Sequence, residues 1–130
     1  MVVIEDNPGD IYLIRYALGL HAIEDLTVIR DGEAGYEFVT QIDRGLATAP
    51  QVFIVDFSLP RRTGPELLEL IRASRACAGV RIVIASSSRS PKDQAVARKF
   101  GADCYFAKPS NFEEYIQIGA IAADLLHDRP

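Results

Sequence analysis

A chain of 130 residues with 48% hydrophobic and 25% charged side chains has enough apolar material for one core and needs no disulfide or metal staples. Its two cysteines, Cys77 and Cys104, show no C-x-x-C spacing and no clustered histidines accompany them, so neither a disulfide framework nor a zinc site is indicated. A net charge of −4 with dispersed basic residues argues against direct nucleic-acid binding, and the lack of a long apolar run or a basic-then-apolar leader predicts a cytoplasmic protein with no membrane partner.

The first element is the short apolar run Val2-Val3-Ile4, which ends in Glu5-Asp6. Asn7 then offers a cap, Pro8 suits the first helical position and Asp10 complements the helix dipole; Ile11, Ile14 and Leu18 carry that helix to about Leu20. Leu26 to Arg30 reads as a second strand, Asp31-Gly32 as a turn, and Ala34, Phe38 and Ile42 as the inner face of a second helix. Val52-Phe53-Ile54-Val55 is a run apolar on both faces, the signature of a central parallel strand, and it stops on Asp56. Gly64-Pro65-Glu66 opens a third helix with Leu67, Leu68 and Ile71 inward. The fourth strand, Arg81 to Ala85, surfaces into Ser86-Ser87-Ser88; a fourth helix starts from the Ser90 cap and stops at Gly101. Cys104-Tyr105-Phe106-Ala107 is the fifth strand and ends at Lys108-Pro109. Ser110 with Glu113 fits a capping box for a last helix running to about His127. On that helix Phe112, Ile116 and Ala123 are expected to face the core, which leaves Tyr115, Ile118, Ala122 and Leu126 for a partner.

Five alternations of strand and helix predict one doubly wound α/β domain over residues 1–130, built on a parallel sheet. In such sheets the ligand crevice lies at the carboxyl ends of the strands. That rim receives Glu5 and Asp6 from the first strand, Asp56 from the third, Ser86 from the fourth and Lys108 from the fifth. Two unit charges ~4 Å apart cost about 4 kcal/mol at an intermediate dielectric, so convergent carboxylates need cationic compensation. A lysine offsets one charge; a hard divalent ion such as Mg²⁺, which prefers oxygen ligands, offsets two. Carboxylates, a metal, a lysine and a hydroxyl suit phosphoryl transfer, in which positioning and charge neutralisation do most of the catalysis. Asp56 is then the candidate nucleophile that would form an acyl phosphate.

Ile4-Glu5-Asp6-Asn7, Ile54-Val55-Asp56-Phe57-Ser58-Leu59-Pro60 with Gly64 beyond, and Phe106-Ala107-Lys108-Pro109 together resemble the receiver domain of two-component response regulators. The separations of Asp56 from Ser86 and of Ser86 from Lys108 also look like that family's acceptor, switch hydroxyl and lysine. The resemblance covers essentially the whole chain and implies a flavodoxin-like five-stranded sheet of order 2-1-3-4-5. It implies that a histidine kinase phosphorylates Asp56. Mg²⁺ would be held by Asp6, Asp56 and the main-chain carbonyl of Ser58, with Glu5 assisting through water. Lys108 and Ser86 would bind the phosphoryl oxygens, Tyr105 would change rotamer with Ser86, and the Lys108-Pro109 peptide would be cis. The signal would leave through the fourth helix, fifth strand and last helix, and the apolar stripe on the last helix suggests a partner on that surface, which a second copy of the chain could supply.

The chain departs from the commonest pattern in having Ser at 86 rather than Thr and Glu at 5 rather than Asp; Ser58 and Ser88 fall where the family tunes phosphoryl lifetime. With no output domain after residue 130, the chain resembles a stand-alone receiver. Its Glu-Asp-Asn-Pro start and long last helix are similar to regulators paired with phytochrome-type photoreceptor kinases. The first strand has almost no residues before it, which suggests a trimmed N-terminus. Two other readings stay open: a Mg²⁺-dependent phosphohydrolase, which ordinarily needs an acid where this chain has Ser58, and a pseudo-receiver that binds partners without phosphorylation.

Overall fold

Five short runs of Val, Ile and Phe supply the strands because β-branched and aromatic side chains fill a pleated surface covered on both sides. In the computed structural model, which describes residues 1–127, they are β1 (Val2–Ile4), β2 (Thr27–Ile29), β3 (Val52–Asp56), β4 (Arg81–Ser86) and β5 (Cys104–Ala107). All pairings are parallel and the order is β2-β1-β3-β4-β5, as the resemblance implied. The helices are α1 (Pro8–Gly19), α2 (Gly32–Asp43), α3 (Gly64–Ala73), α4 (Pro91–Lys99), α5 (Phe112–Tyr115) and α6 (Gln117–His127). A 3-10 turn at Arg75–Cys77 lies in the small-residue connection after α3.

Alternation along β3 divides the core. Phe53 and Val55 join Val39 and Ile42 of α2, Leu67, Leu68 and Ile71 of α3 and Ala97 of α4. Ile54 turns to the other side, among Ile14, Ala17 and Leu18 of α1 and Ile118 and Ala122 of α6. Each large apolar side chain so buried stabilises the fold by about 1.5–3 kcal/mol. A carboxylate would be costly inside this layer, and Asp56 stands at its carboxyl end, opposite Ala85 in the register.

Local chemistry sets the helix starts. Asn7 accepts from the Asp10 amide, Asp31 from Ala34 and Ser90 from Lys92. Thr63 and Glu66 form a reciprocal capping box at α3. Gly101, beyond the end of α4, has φ +94°, the left-handed conformation expected of it. The loop after β3 is fastened to α2: the Gly32 amide donates to the Pro60 carbonyl at 3.1 Å and Arg62 Nε to Glu33 at 3.0 Å.

Four expectations need correction. On α2 the buried row is Gly32, Gly35, Val39 and Ile42, while Ala34 is exposed and Phe38 half-buried. A Cβ at position 35 would lie 3.1 Å from Ile4 Cδ1 and 3.2 Å from Leu67 Cδ1, so the face centres on a glycine that no count of apolar residues registers. The N-cap of α5 is Asn111, not Ser110: its side chain accepts from the amides of Glu113 and Glu114. The last helix is broken at Ile116 into α5 and α6, and Tyr115, Ile118 and Ala122 join the expected Ala123 in the core while Phe112 is 48% exposed. Much of the apolar surface assigned to a partner therefore closes the second core cluster. Finally, the Lys108-Pro109 peptide is trans, the isomer that X-Pro bonds favour by about 0.5–1 kcal/mol.

Candidate functional site

The parallel register carries Glu5, Asp6, Asp56, Ser86 and Lys108 to one rim. Carboxylate oxygens of Glu5, Asp6 and Asp56 lie within 4.8 Å of one another. Glu5 is 1% exposed and Asp56 6%, whereas Asp6 faces solvent. Glu5 Oε2 accepts from the Asp6 amide at 2.9 Å, and Asp56 Oδ1 accepts from the Ser58 amide at 3.1 Å. These bonds fix both carboxylates where β1 and β3 surface.

Lys108 is the compensating cation, and its side chain is buried rather than solvated. Its Nζ lies 2.6 Å from Glu5 Oε1, 3.0 Å from Asp10 Oδ2 and 3.5 Å from Asp56 Oδ2. Burial alone would lower the Lys108 pKa, but hydrogen bonds from the ammonium to Glu5 and Asp10 and the charges of Glu5 and Asp56 raise it, and the group stays cationic. Burial, together with the Asp56 carboxyl, pushes Glu5 up to about 8 despite the lysine. One ammonium is thus insufficient for the cluster. Oxygen-only donors on a partly exposed, acid-rich rim fit a hard divalent ion; Glu5, Asp6 and Asp56 are the residues that could hold it.

The hydroxyl side of the rim is also ordered. Ser86 is buried, its Oγ accepts from the Ser88 amide at 3.1 Å, and its carbonyl accepts from the Lys108 amide at 2.7 Å. Tyr105 donates its phenol to the Ser88 carbonyl at 2.8 Å and sets its ring edge-on to Phe57, with centroids 6.1 Å apart. Ser86 and Tyr105 therefore meet through one loop, 86–90. Gly64 closes the opposite wall. A Cβ there would come within 2.6 Å of the Asp56 carbonyl and 2.5 Å of Phe57 Cα, so the turn after β3 can pass only a glycine.

Two residues of this network are not evident from sequence reasoning. Asp10, read as a helix-dipole acid, contacts Lys108, and Tyr115, assigned to a partner face, donates to Asp10 Oδ1 at 2.7 Å. Burial and the Asp10 carboxylate hold the Tyr115 phenol well above its usual range, so it stays a donor. Helical spacing from Asn7 to Asp10 gave no hint that the acid looks across to β5. Elsewhere, Cys77 is buried, Cys104 half-buried and both are free thiols. Among the described residues no helix is long and apolar enough to cross a membrane.

Comparison with known proteins agrees with this geometry. The chain is 23% identical over 120 residues to response regulator Rcp1 of Synechocystis sp., covering 91% of this chain and 82% of that protein. It is 32% identical over 97 residues to protein PilG of Pseudomonas aeruginosa, 70% of either chain. The crystal structure of the phosphorylated cyanobacterial phytochrome response regulator RcpA superposes with a TM-score of 0.88 at 26% identity, covering 99% of this chain and 94% of that one. The Mn²⁺-bound form of Rcp1 gives 0.86 at 23% identity, with 99% and 95% covered. The response regulator receiver domain pattern matches residues 1–119, and with the sheet order and the acidic rim already in place, the chain belongs to the response regulator receiver family.

Proposed function

We propose that this receiver is a phosphorylation switch that takes a phosphoryl group onto Asp56 from a histidine kinase and reports it through α4, β5 and the last helical segments. The observation that carries the reading is the convergence of Asp56 with Glu5 and Asp6 on one side and Lys108 on the other. An Asp56 carboxylate oxygen attacks phosphorus as the P–N bond to the donor imidazole breaks, and the imidazole keeps the bonding electrons. A Mg²⁺ ion held by Asp6, Asp56 and the Ser58 carbonyl, with Glu5 through water, would neutralise the oxygens of the transferred group. Lys108 swings toward the new phosphoryl oxygens, and the Ser86 hydroxyl turns from accepting from the Ser88 amide to donating to one of them. That exchange frees the 86–90 loop from its present anchor and lets Tyr105 follow. In this reading the chemistry of the domain is its own phosphorylation and the hydrolysis of the resulting acyl phosphate.

The partner kinase in this reading is of the phytochrome type, supported by the likeness to RcpA. Self-association through α4, β5 and the last helix belongs to the same proposal. β5 is an edge of the sheet, and its Cys104, Tyr105 and Ala107 are half covered. Sedimentation at rising concentration, with and without beryllofluoride, tests it: a strict monomer in both states sinks the dimer.

Incubation with phosphoramidate and Mg²⁺ followed by intact mass tests the switch. A gain of ~80 Da that Asp56→Asn abolishes is expected. No gain would favour a binding module with an idle rim, and steady turnover of a phosphate ester would favour a phosphohydrolase.

A further inference from the structure

Asp10 bridges two buried groups on different elements. Its Oδ2 accepts from Lys108 Nζ at 3.0 Å and its Oδ1 from the Tyr115 phenol at 2.7 Å. The Lys108 ammonium has three protons, and in this state it hydrogen-bonds Glu5 and Asp10, while Asp56, 3.5 Å away, is an ion-pair partner without a hydrogen bond. A phosphoryl group on Asp56 would draw that ammonium across, which stretches one of the present bonds. Glu5 is sealed from water, but the Asp10 side chain is 21% exposed. Water can therefore replace the lysine at Asp10 at lower cost than at Glu5.

Tyr115 is the last residue of α5, directly before the break at Ile116, and its ring stands edge-on to Phe106 of β5 with centroids 5.7 Å apart. Resting on the assignment of Asp56 as phosphoacceptor, we infer that Asp10 is a positioning residue that holds Lys108 back from Asp56 in the unphosphorylated protein and couples its release, through Tyr115, to the α5–α6 junction. This route runs through side chains other than Ser86, Ser88 and Tyr105, whose side-chain contacts act on the loop before α4. Its two ends are covalently remote: 98 residues separate Asp10 from Lys108 and 105 separate it from Tyr115.

The test uses Asp10→Asn, which keeps the shape and the acceptor for Tyr115 but removes the charge, and Tyr115→Phe, which removes only the hydroxyl. Labelling by phosphoramidate with Mg²⁺ is followed by intact mass, amide exchange over residues 112–119 is measured before and after labelling, and melting temperatures are recorded in parallel. Asp10→Asn is expected to label about 10-fold faster than the unaltered protein, a gain that structural damage would not produce. Tyr115→Phe is expected to label at a rate within about twofold of the unaltered protein and to lose the exchange response at 112–119. An unchanged or slower rate in Asp10→Asn overturns the restraint on Lys108; an intact 112–119 response in folded Tyr115→Phe overturns the coupling. Failure of the unaltered protein to label at all would instead remove the phosphoacceptor assignment on which both rest.

Discussion

The Tyr105 phenol donates to the main-chain carbonyl of Ser88 at 2.8 Å, so an aromatic on the edge strand pins the loop that carries the Ser86 amide partner. Deleting that hydroxyl releases the loop without touching the carboxylates. Tyr105→Phe should lower stability by about 1 kcal/mol in urea unfolding and raise amide exchange in 86–90. Exchange that stays as slow as before would show that the loop is held by other bonds.

The acidic rim predicts a pH dependence that a divalent ion reverses. Glu5 ionises near 4.5 in an ordinary setting and is pushed up to about 8 by burial and Asp56. Between those values the folded protein keeps a proton that the unfolded chain has lost, so stability falls as pH rises through that window. Without divalent ions, the melting temperature should drop between about pH 6 and about pH 8, and Mg²⁺ should flatten the curve by favouring the carboxylate. Glu5→Gln should flatten it as well. A metal-free melting curve that is level across this range would contradict the account.

Gly64→Ala forces a methyl to within 2.6 Å of the Asp56 carbonyl, and backbone on both sides must shift. Overpacking of this kind costs about 1–3 kcal/mol, and here it also displaces the acceptor. Slower phosphoramidate labelling together with a lower urea midpoint is the expected result. Normal labelling in a destabilised variant would mean that Asp56 is positioned independently of the turn.

Arg72 offers a control far from the site. Its guanidinium donates to the carbonyls of Gly101 at 2.9 Å and Val80 at 2.7 Å and to Asp103 at 2.9 Å, tying α3 to the amino-terminal ends of β4 and β5. Arg72→Met removes these charge-assisted bonds and should cost about 2–3 kcal/mol in urea unfolding. Labelling of Asp56 should stay within about twofold, since nothing at the rim is touched.

Much of this was legible in the residues. Strand ends announced the rim because buried runs such as Val52 to Val55 stop abruptly on acids, hydroxyls or lysine, and the caps at Asn7 and Ser90 follow from one-turn spacing. The errors share a cause: local patterns that allow two solutions. Ser110 with Glu113 and Asn111 with Glu114 both satisfy a cap one residue apart, and packing of Tyr115 against Phe106 and Asp10 accompanies the second. The face of α2 was misplaced because Gly35 contributes closeness rather than hydrophobicity. Asp10 was missed because its role depends on β5, which follows it by about three-quarters of the chain.

The fastening of the 57–63 segment onto α2 by the Gly32 amide and the Arg62 guanidinium has a directional consequence. With that bank of the crevice bolted down, strain generated at Asp56 meets a stiff wall on one flank and a loop of serines on the other. On the proposed function, motion would leave through the serine loop, whose anchors include Ser86 itself, rather than through the fastened flank.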